Sequence, residues 1–163
     1  MKFNEIDPPI LVVGYGNELR GDDGAGPAAA EALREQLPRQ LVEVLAVHQL
    51  LPELIERINR ARLVVFIDAD CDAPAGRVRR EQLTERHAGS DVIGHQQSPE
   101  SLLTMARELY GYAPSAILFR VGAADFEFRQ GLSKSVRNAM PGLVKEVIEA
   151  IRHAAKTLER HYA

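Results

Sequence analysis

The residues best suited to chemistry are two adjacent carboxylates, Asp22 and Asp23, in a glycine-rich segment. It runs from Gly14 to Gly24, after a strand-like apolar run and before a helical pattern, and reads GYGNELRGDDG. Carboxylates at a helix start would repel a phosphate, and Leu19 stands where a dinucleotide fingerprint needs its third glycine. No Walker motif is present. The segment therefore predicts either a cation site or an acidic helix cap, and the cap is the default for each aspartate alone.

Two further candidates lie where other elements end or begin. Asp68 closes the apolar run of LVVFIDAD, whereas Asp70 lies past it in a turn and is a weaker candidate. His95 precedes Ser98, which begins a helix. Taken alone, an aspartate at the end of a strand commonly accepts hydrogen bonds from loop amides, and a histidine in a loop usually lies on the protein surface. Together with Asp23, the carboxylate of Asp68 and the imidazole of His95 suit a borderline divalent metal such as zinc or nickel, with at least one coordination position left open.

The elements that must position these groups alternate between strands and helices. Strands are predicted near 10–15, 42–47, 63–68, 76–80 and 115–122, and helices near 25–37, 52–61, 98–109 and 135–160. This order predicts an α/β fold spanning 1–163, a single-domain doubly wound three-layer sandwich with a mostly parallel twisted sheet of about five strands and helices on both faces. The first and third strands should end side by side, around one cleft.

Two segments carry their own predictions about the fold. Arginines alternate with apolar residues in 76–80, which indicates a short edge strand that resists further pairing. Pro141 and Gly142 interrupt the last helical pattern, which predicts either a short turn before that helix or a kink within it.

Composition limits the class of protein. The 163 residues carry a net charge of −3 with no basic stripe, which argues against a nucleic-acid partner. There is neither an apolar stretch of membrane-spanning length nor a signal-peptide core, so we expect no membrane association and a cytoplasmic location. The single Cys71 forms no internal disulfide and is interpreted as an incidental loop residue. We expect a monomer without an organic cofactor.

Four motifs together resemble the nickel-iron hydrogenase maturation endopeptidases over nearly the whole chain. They are GYGNELRGDDG, LVVFIDA, GHQQSPESLL, and AILFRVG with GLS downstream. The family's metal-contacting acid, strand-end aspartate and histidine map onto Asp23, Asp68 and His95. The resemblance implies an aspartyl-type endopeptidase that removes the C-terminal extension of a hydrogenase large-subunit precursor after nickel insertion. It implies recognition through the precursor's own nickel, with zinc or cadmium able to occupy the same site, and the zinc-protease motif HExxH is absent.

The substrate side of this prediction includes His48 and Gln49, which lie where some members of the family have a glycine-rich turn. This feature resembles the proteases of soluble, bidirectional, NAD-linked hydrogenases. The alternative is a non-catalytic metal-binding or receiver-like module, although a receiver would need a lysine after the last parallel strand, where the chain reads AILFRVGAA. The predicted substrate contacts are Gly14, Gly16, Asn17, Asp22, His48 and Gln49.

Overall fold

The strands of the protein pair into one five-stranded sheet. The structure is a computed structural model that describes residues 8–84 and 97–162, with side chains to residue 157. The sheet order is β2-β1-β3-β5-β4, with neighbours parallel except for the β4–β5 pair, which is antiparallel. The strands are β1 (Ile10–Tyr15), β2 (Val42–Val47), β3 (Leu63–Asp70), β4 (Val78–Leu83) and β5 (Ser115–Gly122). The predicted mostly parallel sheet is confirmed, including the charged edge strand, which begins two residues later than predicted and extends to Leu83.

Helices cover both faces of this sheet. They are α1 (Ala25–Gln36), α2 (Ile55–Arg60), α3 (Pro99–Tyr110) and α4 (Lys134–Tyr162). Short 3-10 turns precede α1 and α2. One apolar cluster joins α1 and α4 to the sheet, and a second joins α2 and α3 to its opposite face. The three-layer prediction is confirmed, and no helix within the described ranges is long and apolar enough to cross a membrane.

The central strands are apolar throughout because both of their faces are covered. In β1, Leu11 and Val13 pack toward α2 and α3, whereas Ile10 and Val12 pack toward α1 and α4. Side chains alternate along a strand, so Tyr15 continues the face of Leu11 and Val13. Residues at the carboxyl ends of the strands are thereby assigned to definite faces.

The start of α3 is fixed by the predicted signals. Ser98 and Ser101 exchange the two hydrogen bonds of a capping box, and Pro99 occupies the first turn. The helix ends at Gly111, whose φ of +73° is the left-handed conformation of a C-cap. Glu100, in the first turn of α3, acts electrostatically on Tyr15 at the end of β1, so α3 begins near the carboxyl edge of the parallel strands.

The last helix continues through Pro141. The alternative of a separate turn before the main helix is therefore wrong. Leu143, Val147 and Ile151 are buried against the sheet, as their spacing predicts. Because a proline within a helix costs about 3 kcal/mol, this apolar stripe must outweigh the cost.

Candidate functional site

The loop after β1 and the end of β3 meet at one edge of the sheet, because Gly14 pairs with Ile67 in parallel register. Gly16 has a φ of +143°, and a Cβ atom there would overlap the Asp23 backbone oxygen. The Asp23 carboxylate in turn accepts a hydrogen bond from the Asn17 N–H, with Oδ2 2.8 Å from the nitrogen. The loop therefore folds back on itself and holds Asp23 partly buried at the carboxyl edge.

Close packing of α1 on β1 depends on two other glycines. A Cβ atom on Gly14 would overlap the backbone of Gly26, and one on Gly26 would overlap the carbonyl oxygens of Tyr15 and Ile67. Gly26 thus supplies a close approach of helix to strand, which is the role of the third glycine in a dinucleotide fingerprint, where this chain has Leu19. Gly14 and Gly16 are buried, so the structure shows them shaping the loop.

Asp22 has a different environment from its neighbour. Its fully buried carboxylate accepts hydrogen bonds from the backbone N–H groups of Ala124, Asp125 and Ser133, at 2.7, 3.2 and 2.7 Å. Burial raises the pKa of Asp22, but these hydrogen bonds outweigh it and lower the pKa below its ordinary value. Asp22 joins the first loop to the segment after β5, and the helix-cap interpretation is wrong for it.

Asp68 is a partly buried carboxylate on the face of the sheet that α2 and α3 cover. Its Oδ1 atom accepts a hydrogen bond from the Ala69 N–H, with the nitrogen 2.8 Å away, and the Tyr15 hydroxyl donates a hydrogen bond to the same carboxylate. Burial raises the pKa of Asp68 to about 6; the negative charge of Asp23 adds to the rise, and Arg120 opposes it. Because the charge of Asp23 acts on Asp68, the two carboxylates lie at a common site.

Tyr15 lies at the same edge of the sheet as Asp68, and its ionisation is also disfavoured. Burial raises the pKa of the Tyr15 phenol, and the charge and hydrogen bond of Asp68 raise it further. Glu100, in the first turn of α3, contributes in the same direction. The beginning of α3 therefore lies near Tyr15 and Asp68. His95, three residues before the Ser98 cap, falls outside the described residues, so its place as a third ligand stays a prediction.

Asp70 is engaged in a separate ion pair. Its buried carboxylate binds the Arg79 guanidinium through Oδ2 and accepts the Asp72 N–H at 2.9 Å through Oδ1. The hydrogen bond from Arg79 lowers the pKa of Asp70 below its ordinary value. Asp70, Cys71 and Asp72 lie within 4.8 Å of one another, but the ion pair with Arg79 already occupies Asp70.

The predicted substrate contacts outside the glycines lie beside the first loop. His48 and Gln49 are exposed, and Asn17 uses its Oδ1 atom to accept the Leu19 N–H at 2.9 Å. Asn17, Leu19 and His48 line a groove of about 360 Å³, completed by Gln130 and its neighbours. A larger cavity of about 580 Å³ lies beside the amino end of β2, away from the carboxylates.

Sequence reasoning did not identify Tyr15 and Arg120 as site residues. Arg120 is paired in register with Asp68 on one side and with Arg79 on the other, so these side chains share a face. The one signal for Arg120 in the sequence is that it interrupts the apolar run of AILFRVG. Its relation to Asp68 depends on strand register, which the sequence does not specify.

Comparisons with known proteins agree with this fold. No family model matches the chain. Over 149 residues, which are 88% of this chain and 67% of the relative, it is 29% identical to the hydrogenase expression/formation protein HupD of Thiocapsa roseopersicina. The solved structure of the hydrogenase maturating endopeptidase HybD from E. coli has a TM-score of 0.73 and 25% identity, covering 89% of this chain and 93% of that chain.

A third comparison supports the fold alone. The nickel-iron hydrogenase maturation protease HycI from Thermococcus kodakarensis has a TM-score of 0.72 at 21% identity, covering 88% of this chain and 92% of that chain. The shared fold and the endopeptidase at 25% identity support a hydrolase, and among the hydrolases a peptidase. More particularly, the predicted resemblance to the nickel-iron hydrogenase maturation endopeptidases is confirmed.

Proposed function

We propose that the protein removes the C-terminal extension of a nickel-iron hydrogenase large-subunit precursor after nickel has been inserted. The observation that carries this proposal is the meeting of Asp23 and Asp68 at the carboxyl edge of the sheet, where the charge of Asp23 helps to raise the pKa of Asp68. Ligand sites in open α/β sheets lie at this edge. The two relatives, one named as a hydrogenase expression/formation protein and the other as a hydrogenase maturating endopeptidase, support the choice of substrate.

In this proposal, nickel arrives as part of the precursor, and Asp23, Asp68 and His95 bind it. Carboxylate oxygen and imidazole nitrogen suit a borderline divalent ion. Two further residues, His48 and Gln49, contact the precursor in this proposal, because both are exposed and His48 lines the groove beside the same loop. Recognition through bound nickel would prevent cleavage before the metal centre is complete.

The remaining predicted contacts act through the shape of the loop. Gly14 permits the close packing of α1 on β1, Gly16 permits the loop to turn back toward Asp23, and Asp22 ties the loop to the segment after β5. Asn17 holds the Asp23 carboxylate through its N–H group. The loop thereby presents one carboxylate to the precursor in a fixed position, which lowers the entropic cost of reaching a reactive geometry.

The chemistry is hydrolysis of a peptide bond by water. Binding of the precursor at Asp23, Asp68 and His95 would place the bond beside an activated water molecule. Catalysis in this proposal depends on this positioning and on activation of the water by the nickel of the precursor or by a carboxylate of the site. We further propose that the protein acts as a monomer in the cytoplasm, and that zinc or cadmium can take the nickel position when added alone.

The direct test is to incubate the protein with a nickel-loaded precursor and to measure the product mass. We expect loss of the extension with the wild type and no detectable loss with Asp23→Asn, Asp68→Asn or His95→Ala. Asp72→Asn is the matched control, because Asp72 is an exposed acid in the turn after β3. Circular dichroism should show that all four variants remain folded.

Substrate specificity separates this proposal from a general metalloprotease. Nickel-free precursor and casein should remain intact, and chelator treatment of the enzyme alone, followed by removal of the chelator, should leave its activity unchanged. Rapid cleavage of casein, or of nickel-free precursor at the normal rate, would reject the proposed recognition. Binding of the loaded precursor without any change in mass would identify a metal-binding adaptor instead of an enzyme.

A further inference from the structure

A row of polar side chains crosses the sheet beside the proposed site. Tyr15, Asp68, Arg120 and Arg79 follow one another on β1, β3, β5 and β4, and all four lie on the face that α2 and α3 cover. Neighbouring strands are about 4.8 Å apart, so each of these side chains adjoins the next. Arg120 is therefore a direct neighbour of the carboxylate that we assign to the precursor's nickel.

The two arginines of this row have different bonding partners. Arg79 forms an ion pair with Asp70. Arg120, in contrast, is half-buried and takes part in none of the ion pairs found among residues 8–84 and 97–157. Its charge acts on Asp68 and Asp70 only through space. Arg120 thus retains its hydrogen-bond donors for another acceptor.

The charge of the site indicates what that acceptor is. Asp23 and Asp68 contribute negative charge, and hydrolysis adds more when water attacks a carbonyl group. A half-buried guanidinium offers planar, paired N–H donors that match oxygen acceptors. Arg79 already forms an ion pair with Asp70. Within the described part of this row, Arg120 is therefore the cation that remains available to the reacting group.

We propose that Arg120 is a catalytic residue that binds the oxygen of the peptide carbonyl at the cleaved bond. This inference rests on the proposed function. As the water oxygen bonds to the carbonyl carbon, the C=O electron pair moves to the oxygen, and the Arg120 N–H groups donate to the resulting oxyanion. Collapse restores the C=O bond and breaks the C–N bond, and the proton lost by water reaches the leaving nitrogen. The products are the mature C-terminal carboxylate and the free amine of the extension.

The test measures kcat and KM for the wild type and for Arg120→Ala and Arg120→Lys on the nickel-loaded precursor. Loss of one oxyanion donor typically lowers kcat by about 100-fold or more, so we expect at least this loss for Arg120→Ala with KM changed by only a few fold. Arg120→Lys should be intermediate, because it keeps the charge but loses the planar fork. Guanidinium ion at a non-denaturing concentration should restore part of the kcat of Arg120→Ala.

Arg80→Ala is the matched control, because Arg80 is on the neighbouring strand but faces the other way, over the Phe119 ring. It should retain the wild-type kcat, and guanidinium should stimulate neither it nor Asp23→Asn. A kcat within twofold of wild type for Arg120→Ala, or a loss confined to KM, would overturn the inference. The inference would also be overturned if Arg120→Ala were folded but guanidinium failed to restore any of its kcat. It would likewise be overturned if Arg120→Ala were unfolded and Arg120→Lys were fully active. Absence of cleavage by the wild type itself would instead reject the proposed function, and this inference with it.

Discussion

Each of the two segments that meet at the carboxyl edge contains one carboxylate bound by the fold and one left available. Asp22 and Asp70 are buried and strongly hydrogen bonded, the first to three backbone N–H groups and the second to Arg79 and a turn amide. Asp23 and Asp68 are partly exposed and lie beside each other's charge. Neighbouring acids of the same type therefore have opposite physical roles.

The difference between the pairs is a difference in which protonation state the fold favours. Hydrogen bonds lower the pKa of Asp22 and of Asp70, so folding stabilises these two anions. Burial raises the pKa of Asp68 to about 6, so folding disfavours its anion. Stability and activity should consequently respond in opposite ways to substitutions in the two pairs.

The largest expected effect is loss of stability in Asp22→Ala. Removing this buried carboxylate leaves three partly buried backbone N–H groups without their acceptor, at a cost of about 1–3 kcal/mol each before relaxation and solvation. We expect the free energy of unfolding to fall by about 4 kcal/mol, measured by urea denaturation at pH 7. Asp23→Ala is the control and should lose less than about 1 kcal/mol, because it affects one partly exposed hydrogen bond. Equal losses in the two variants would contradict the distinction.

A smaller effect of opposite sign is expected for Asp68→Asn. The pKa of Asp68 is raised from 3.8 to about 6, so the wild type loses stability as pH rises through this interval. Asparagine is neutral at every pH, and its side-chain oxygen can still accept the hydrogen bond from the Ala69 N–H. We expect Asp68→Asn to be more stable by about 2 kcal/mol at pH 8, less than the full shift implies because the carboxyl is partly exposed.

The pH dependence gives this prediction its control. At pH 3, below the unfolded pKa of 3.8, both the folded and the unfolded wild type carry a mostly protonated Asp68, so the variant and the wild type should unfold at nearly the same urea concentration. A stability difference that is the same at pH 3 and pH 8 would show that packing, and not the charge of Asp68, determines the effect.

Much of the fold follows from local sequence signals. Continuous apolar runs identified β1 and β3, and Ser98, Pro99 and Gly111 marked the ends of α3. The edge strand β4 was placed two residues early at its start, because Gly76 adopts a φ of +78° in a turn before the strand begins. Its exposed, mostly charged residues gave no apolar boundary.

The candidate site was less accessible to prediction, because its contacts are distant in sequence. Nothing local separates Asp22 from Asp23, since the amides that bind Asp22 are those of Ala124, Asp125 and Ser133, more than 100 residues away. Likewise, Tyr15 and Arg120 join Asp68 only through strand order and register. The sequence predicted which edge of the sheet matters, and the pairing of the strands determines which groups meet there.

The smallest expected effect concerns Asp70 and its ion pair. The hydrogen bond from Arg79 lowers the pKa of Asp70, so its stabilising contribution is present above the unfolded value of 3.8 and is lost as pH falls through the folded pKa. We expect Asp70→Asn to lose about 1 kcal/mol at pH 7, and less at pH 3. High salt should reduce the loss, because half of the Arg79 side chain is exposed.

Combining Asp70→Asn with Arg79→Ala should cost little more than Asp70→Asn alone, and fully additive losses in this cycle would show that the pair is not coupled. Cleavage of the nickel-loaded precursor by Asp70→Asn should remain within twofold of wild type, which would separate this carboxylate from Asp68 on the same strand.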